Sequence, residues 1–164
     1  MKRLILVRHA KSDWSLPGQE DWDRPLNTRG QRDAPEMARR LRSRRLKPDR
    51  ILSSPAVRAL TTATIMTREL RVAPSLLKAE ERLYLAAPAD LLQVLRELGG
   101  ASRQLMVVGH NPGITEFADK VSAERSLDNM PTCAIYSLEF DLKDWSALAW
   151  NSGVNADFDY PKKT

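Results

Sequence analysis

Apolar positions along the chain fall into short unbroken runs separated by stretches with helical spacing. The first run, Leu4–Val7 within "RLILVR", predicts a strand over Arg3–Arg8 buried on both faces, as in a sheet covered by helices. A long loop, Ala10–Asn27, follows, punctuated by Pro17, Gly18 and Pro25. A helix is predicted over Thr28–Arg45. Because Pro35 cannot donate its backbone hydrogen bond, a restart is expected at "DAPE", with Asp33 as N-cap and Glu36 closing a capping box.

The alternation continues. Arg50–Ser53 reads as a short strand, and Ser54 with Pro55 reads as the cap and first residue of a helix. Its core stripe is expected at Ala56, Leu60, Ala63 and Leu70. An extended piece at Leu76–Ala79 precedes a helix at Pro88–Leu98, stopped by Gly99-Gly100. A strand at Gln104–Gly109 leads into a helix at Pro112–Val121, where Ile114, Phe117, Ala118 and Val121 repeat with helical period. Ala134–Phe140 and Ser146–Trp150 read as a terminal hairpin, and the polar tail from about residue 151 as loosely ordered. Strand–helix alternation predicts an α/β fold, a three-layer α/β/α sandwich with a mostly parallel central sheet and an antiparallel terminal strand. A single domain is expected over 1–164.

Composition narrows the class. A chain of 164 residues with 42% hydrophobic and 29% charged content is typical of a globular domain. No apolar run approaches the ~20 residues that span a bilayer, and the first run is too short for a secretion signal. The single Cys133 excludes an internal disulfide and suits a reducing compartment, so a cytoplasmic location is expected. The net charge of +5 is concentrated around Arg39, Arg40, Arg42, Arg44, Arg45 and Lys47. No zinc-finger or RNA-recognition motif accompanies it, so a solvated helix face is favoured over nucleic-acid binding.

The chemistry concentrates at strand ends. The chain holds only two histidines, His9 and His110, and both follow buried strands. Arg8 precedes the first, and Arg58 lies one turn into the helix after the second strand. Ligands of open α/β sheets collect beyond the carboxyl ends of the strands. Two guanidiniums there suit the oxygens of a phosphoryl group, and an imidazole near its ordinary pKa of ~6.5 keeps a neutral nitrogen for attack on phosphorus. Singly, each residue has an ordinary structural explanation. Together they suggest one anion site. Two histidines without a converging acidic set make no metal cage, so neither metal nor cofactor is expected.

The ordered set "RHA" (Arg8–Ala10), "SPAVR" (Ser54–Arg58) and "GHNPG" (Gly109–Gly113) resembles the signature of the histidine phosphatase (phosphoglycerate mutase-like) superfamily. "RHAKSDW", "DRPLNTRG" and "MPTCAIYSLEF" are similar to its compact SixA-type phosphohistidine phosphatases. The resemblance implies His9 as nucleophile. It further implies Arg8, Arg58 and His110 as holders of the phosphoryl oxygens, with Ser12 adding a hydrogen bond. Asn111 is expected to cap a helix instead.

Three positions depart from that pattern. Ala10 replaces the usual glycine, and Ser15 stands where mutase-type members have asparagine. Leu85 occupies the place where many relatives carry a glutamate acid. Glu81 is the best replacement acid in sequence, ahead of Asp13 and Asp23, with Glu80 also near. A missing acid matters little when the leaving group is an imidazole carrying its own proton, so protein phosphohistidine is the expected substrate class. A phosphorylated small metabolite is the rival substrate, and a catalytically weak phosphoprotein-binding module the rival of another class. Trp14 and Trp22 are expected to pin the long loop, with partner contact as the alternative.

Overall fold

The computed structural model describes the whole chain, Met1–Thr164. Its strands are β1 (Lys2–Arg8), β2 (Arg50–Ser53), β3 (Leu77–Ala79), β4 (Gln104–Gly109), β5 (Ile135–Phe140) and β6 (Val154–Asp159). Its helices are α1 (Thr28–Ser43), α2 (Val57–Glu69), α3 (Pro88–Leu98) and α4 (Gly113–Val121). The strands form one sheet in the order β3-β2-β4-β1-β5-β6. The first four are parallel, whereas β5 runs antiparallel to both β1 and β6.

Side chains of the central strands alternate between two cores, as the period of two requires. Leu4, Leu6, Leu105, Val107 and Leu52 pack with α3 and α4 on one face. Ile5, Val7, Met106, Val108 and Ile51 pack with α1 and α2 on the other. Each such side chain contributes about 1.5–3 kcal/mol by leaving water. Covering both faces explains why the strands read as continuous apolar runs. The expected three-layer α/β fold is the observed one.

Several local expectations are corrected. Helix α1 runs through Pro35 without restarting. Asn27 caps it, its side chain accepting from the Gly30 N–H at 2.9 Å, and burial of Ala34, Met37, Ala38 and Leu41 outweighs one missing hydrogen bond. Asp33 pairs with Arg29 instead of capping. In α2 the buried stripe is Ala59, Ala63, Met66 and Leu70, with Leu60 only half-buried. The partner of β5 is not Ser146–Trp150, which holds a 3₁₀ turn at Trp145–Ala147, with Trp145 in the core. The partner is Val154–Asp159, inside the segment read as a loose tail. Val154, Ala156 and Phe158 alternate there with Asn155, Asp157 and Asp159, but the segment is largely exposed and the pairing is made by the backbone ladder. No helix is long and apolar enough to cross a membrane.

Candidate active site

The site is built from adjacent strand ends. Arg8 of β1 lies beside Gly109 of β4 in the parallel register. The next residues, His9 and His110, therefore leave the sheet side by side, with ring centroids 5.2 Å apart. The end of β2 supplies Ser54, whose N–H donates to the Val108 carbonyl at 3.0 Å. Arg58 follows in the first turn of α2. Arg8, His9, Ser12, Arg58 and His110 line one cavity of about 230 Å³. Larger open clefts, such as that between α1 and the C-terminal segment, contain neither histidine.

Each ring is oriented by a neighbour. His9 Nδ1 lies 2.7 Å from the Ala10 carbonyl. A carbonyl can only accept, so Nδ1 carries the proton and Nε2 holds the lone pair. Burial lowers the pKa of His9 to about 4; the Ala10 bond opposes that, while the charges of Arg58, Arg8 and Arg24 add to it. Burial, then the neighbouring His9 and Arg58, takes His110 down to about 3. Both imidazoles are therefore neutral at pH 7. Nε2 of His110 meets Ser54 Oγ at 2.7 Å, so Ser54 serves the site. Helix α2 itself starts after Ala56 with no side-chain cap.

Arg58 is 2% exposed. It donates from Nη1 to the Asp21 carbonyl at 2.6 Å and from Nη2 to Asp21 Oδ2 at 2.9 Å. Asp21 also accepts from Tyr84 Oη at 2.5 Å and from Arg24 Nη2 at 3.0 Å. Partial burial pushes the Asp21 carboxyl up, but these donors outweigh it and hold the group well below the usual carboxylate range. Arg24, itself buried, donates to Ser12 Oγ at 2.6 Å and lies over the Trp14 ring, 3.4 Å from its centroid. Arg8 donates from Nη1 to the Met130 carbonyl at 3.0 Å.

Four buried side-chain atoms in the whole chain lack a hydrogen-bond partner. Three of them are Arg8 Nε, Arg58 Nε and His110 Nδ1, all on residues of this cavity. Orphaned buried polar atoms are costly, at ~1–3 kcal/mol each. Their concentration in one place marks a site prepared for an acceptor-rich ligand.

The structure brings together Arg8, His9, Ser12, Arg58 and His110. It does not bring Glu81, which is exposed and lines no part of the cavity. Glu80 is engaged by Arg82, Asp13 is half-buried and accepts from the Ser15 N–H, and Asp23 is exposed; none of them lines the cavity. Asn111 lines the cavity but caps no backbone N–H: its amide donates to the Met130 carbonyl and its oxygen accepts from Thr115 Oγ1. The Ala10 methyl belongs to the core under α1 and α2, so it does not crowd the cavity. Trp22 packs on Tyr84 and pins the loop, whereas Trp14 is 71% exposed. Asp21, Arg24, Tyr84 and Ser54 were not legible as site residues. Ser54 and Arg24 lay within the segments "SPAVR" and "DRPLNTRG", whereas Asp21 and Tyr84 lay in none of the quoted ones, and burial of one arginine among many leaves no mark in sequence. No group of three or more His, Cys, Asp or Glu is placed to hold a metal ion.

The parallel strands of the sheet thus end in two imidazoles and two buried guanidiniums grouped around one cavity, a set suited to holding an oxyanion. Residues 4–83 match the histidine phosphatase superfamily, branch 1, and the chain belongs to that superfamily. Among curated relatives, the uncharacterized protein Rv1276c of Mycobacterium tuberculosis is 35% identical over 138 residues, covering 79% of this chain and 84% of that protein. Among solved structures, a candidate phosphohistidine phosphatase SixA from Agrobacterium tumefaciens superposes with a TM-score of 0.81 at 28% identity, covering 98% of both chains. The protein histidine phosphatase SixA complexed with tungstate gives 0.77 at 21% identity, covering 96% of this chain and 94% of that one, a likeness of fold.

Proposed function

We propose that the chain is a phosphatase that transfers a phosphoryl group to Nε2 of His9 and then to water, with phosphohistidine on a protein as its substrate class. The observation that carries this reading is the trio of unpartnered buried nitrogens, Arg8 Nε, Arg58 Nε and His110 Nδ1, grouped around a histidine whose tautomer exposes Nε2.

The electron pair on Nε2 attacks phosphorus and the bond from phosphorus to the leaving nitrogen breaks. His9 keeps its Nδ1 proton, so the phosphoenzyme is a cationic ring stabilised by the Ala10 carbonyl. The guanidiniums of Arg8 and Arg58 hold the phosphoryl oxygens, and Ser12 with Arg24 lies beside them. A Ser54 hydroxyl that donates to His110 Nε2 leaves the proton on Nδ1, where it donates to an oxygen as negative charge builds. Water then attacks phosphorus, the bonding pair returns to Nε2, and the water proton remains with the released phosphate.

The cavity offers no free carboxylic acid for an alkoxide leaving group. Glu81 is outside it, and Asp21 is held ionised by Arg58, Arg24 and Tyr84. General acids typically contribute ~10²–10⁴-fold. A phosphohistidine whose second ring nitrogen has taken up a proton from water needs none, since the ring then leaves as neutral imidazole. This chemistry favours phosphohistidine over phosphate esters of small metabolites.

Rapid-quench labelling tests the reading. Brief exposure to a radiolabelled phosphohistidine protein should give acid-labile, base-stable label on His9. A protein that binds the substrate and traps no label is a phosphoprotein-binding module, and the proposal fails.

A further inference from the structure

Five large hydrophobic side chains of the molecule are well exposed, and three of them, Trp14, Leu16 and Leu85, belong to the loops around this cavity. Two line the cavity itself: Trp14, on the loop after β1, and Leu85, after the 3₁₀ turn Glu81–Leu83. Their exposures are 71% and 55%. Neither is explained by core packing. Both are nonetheless held in defined positions.

Trp14 has the Arg24 guanidinium against its ring, and Arg24 is buried and tied to Ser12 and Asp21. An aromatic ring fixed this way, with most of its surface still in water, is a platform for another flat group. Leu85 has φ +50°, the left-handed region that a branched side chain enters at a cost. Its backbone lies between Tyr84, which is bonded to Asp21, and Ala86, whose carbonyl sits against Gly113 at the start of α4; a Cβ on that glycine would come within 1.8 Å of it. The chain thus keeps a strained leucine at the rim of a cavity whose floor is made of cations and imidazoles. An apolar rim over a cationic floor is matched by a ligand that is anionic at one end and flat and weakly polar at the other.

We infer that Trp14 and Leu85 form a leaving-group subsite that takes the imidazole ring of a phosphohistidine side chain presented by a polypeptide. The inference rests on the phosphatase reading above and adds the residues that select the substrate. The ring lies against the Trp14 indole and the Leu85 methyls while its phosphoryl group reaches Arg8, Arg58 and His110. No proton is drawn from the rim, which suits its lack of an acid. A sugar or alkyl alcohol in the same place faces apolar surface with its hydroxyls unpaired.

The test compares wild type with Trp14→Ala, Leu85→Ala and the conservative Trp14→Phe. Steady-state rates are measured on a phosphohistidine peptide and on glycerol 3-phosphate, together with inhibition by tungstate. For the two alanine variants, kcat/KM on the peptide should fall by about tenfold each, mainly through KM, as the loss of one stacked or apolar contact predicts. The peptide-to-glycerol-phosphate selectivity should fall with it, and Trp14→Phe should recover most of the loss. Tungstate inhibition should stay within twofold, showing that the anion site is intact. Equal losses on both substrates, or an unchanged peptide KM, overturn the subsite while leaving the phosphatase reading standing. A wild-type enzyme that cleaves no phosphohistidine peptide yet forms a phosphoenzyme from glycerol 3-phosphate overturns the inference and the substrate class. Absence of any phosphoenzyme overturns the phosphatase reading itself.

Discussion

Asp21 grips Arg58 at two points, its carbonyl 2.6 Å from Nη1 and its carboxylate 2.9 Å from Nη2. This grip leaves Nε as the free donor of a guanidinium that is otherwise buried. Removing the carboxylate leaves a desolvated charge with one partner fewer. Asp21→Ala should therefore lower unfolding stability by about 1–2 kcal/mol, less than a fully buried pair because the Asp21 side chain is part-exposed. Urea denaturation checks this. Saturating tungstate should return part of the loss, since the oxyanion supplies the missing negative charge.

His9→Ala should abolish labelling and turnover while the protein still unfolds cooperatively. His9 is buried against the cavity and its burial penalises the charged ring, so its removal leaves no packed core group behind. Circular dichroism on melting, beside the rapid-quench assay, separates the two effects. Loss of folding along with activity would show that the ring is structural.

Stability should fall as the solution is acidified below neutrality. His9 and His110 titrate near 4 and 3 when folded, against ~6.5 when unfolded. Between those values the unfolded chain binds more protons, so stability rises with pH through this window and levels above ~6.5. Each histidine contributes a slope of up to about 1.4 kcal/mol per pH unit. Denaturation midpoints at pH 7, 6 and 5 should show the decline, and His110→Gln should flatten it. A flat profile in wild type would mean that the rings take up protons as readily in the fold as in the unfolded chain.

EDTA should leave turnover unchanged. No cluster of His, Cys, Asp or Glu is placed to hold a metal, and the positive charge of the cavity is supplied by Arg8, Arg24 and Arg58. An EDTA-sensitive rate restored by a divalent cation would contradict this route.

Leu85→Glu should place a carboxyl at the cavity rim. Hydrolysis of alkyl phosphates should then rise by about tenfold, at or below the lower end of what general acids contribute. Parallel rates on glycerol 3-phosphate and a phosphohistidine peptide read the change. No gain on the ester would show that lack of a proton donor is not what limits it.

The parts of this molecule that were legible in its sequence are those where one signal dominates. Continuous apolar runs gave β1 and β4 because both of their faces are covered, and His9 and His110 stood out as the chain's two imidazoles. Strand β6 was missed although Val154, Ala156 and Phe158 alternate with Asn155, Asp157 and Asp159, because at an exposed edge so short an apolar set is outweighed by the polar tail around it. Helix α1 was cut at Pro35 because a local rule was applied where tertiary burial decides. Arg24 and Asp21 escaped notice for a different reason. Asp21 takes its role from partners far along the chain, Tyr84 and Arg58, and Arg24 from being fixed between Asp21, Ser12 and Trp14, arrangements that only the fold makes.

The pairing of Arg8 with Gly109 ties the position of both histidines to the ladder between β1 and β4. A slip by a single residue there would turn every inward side chain outward and scatter the cations. The Trp14 and Leu85 segments lie outside that ladder and are held by side-chain contacts instead. The strand ladder thus sets where the two imidazoles stand, while the loop carrying Ser12, Asp21 and Arg24 closes the cavity around them, so a change in either part reshapes a different wall of one pocket.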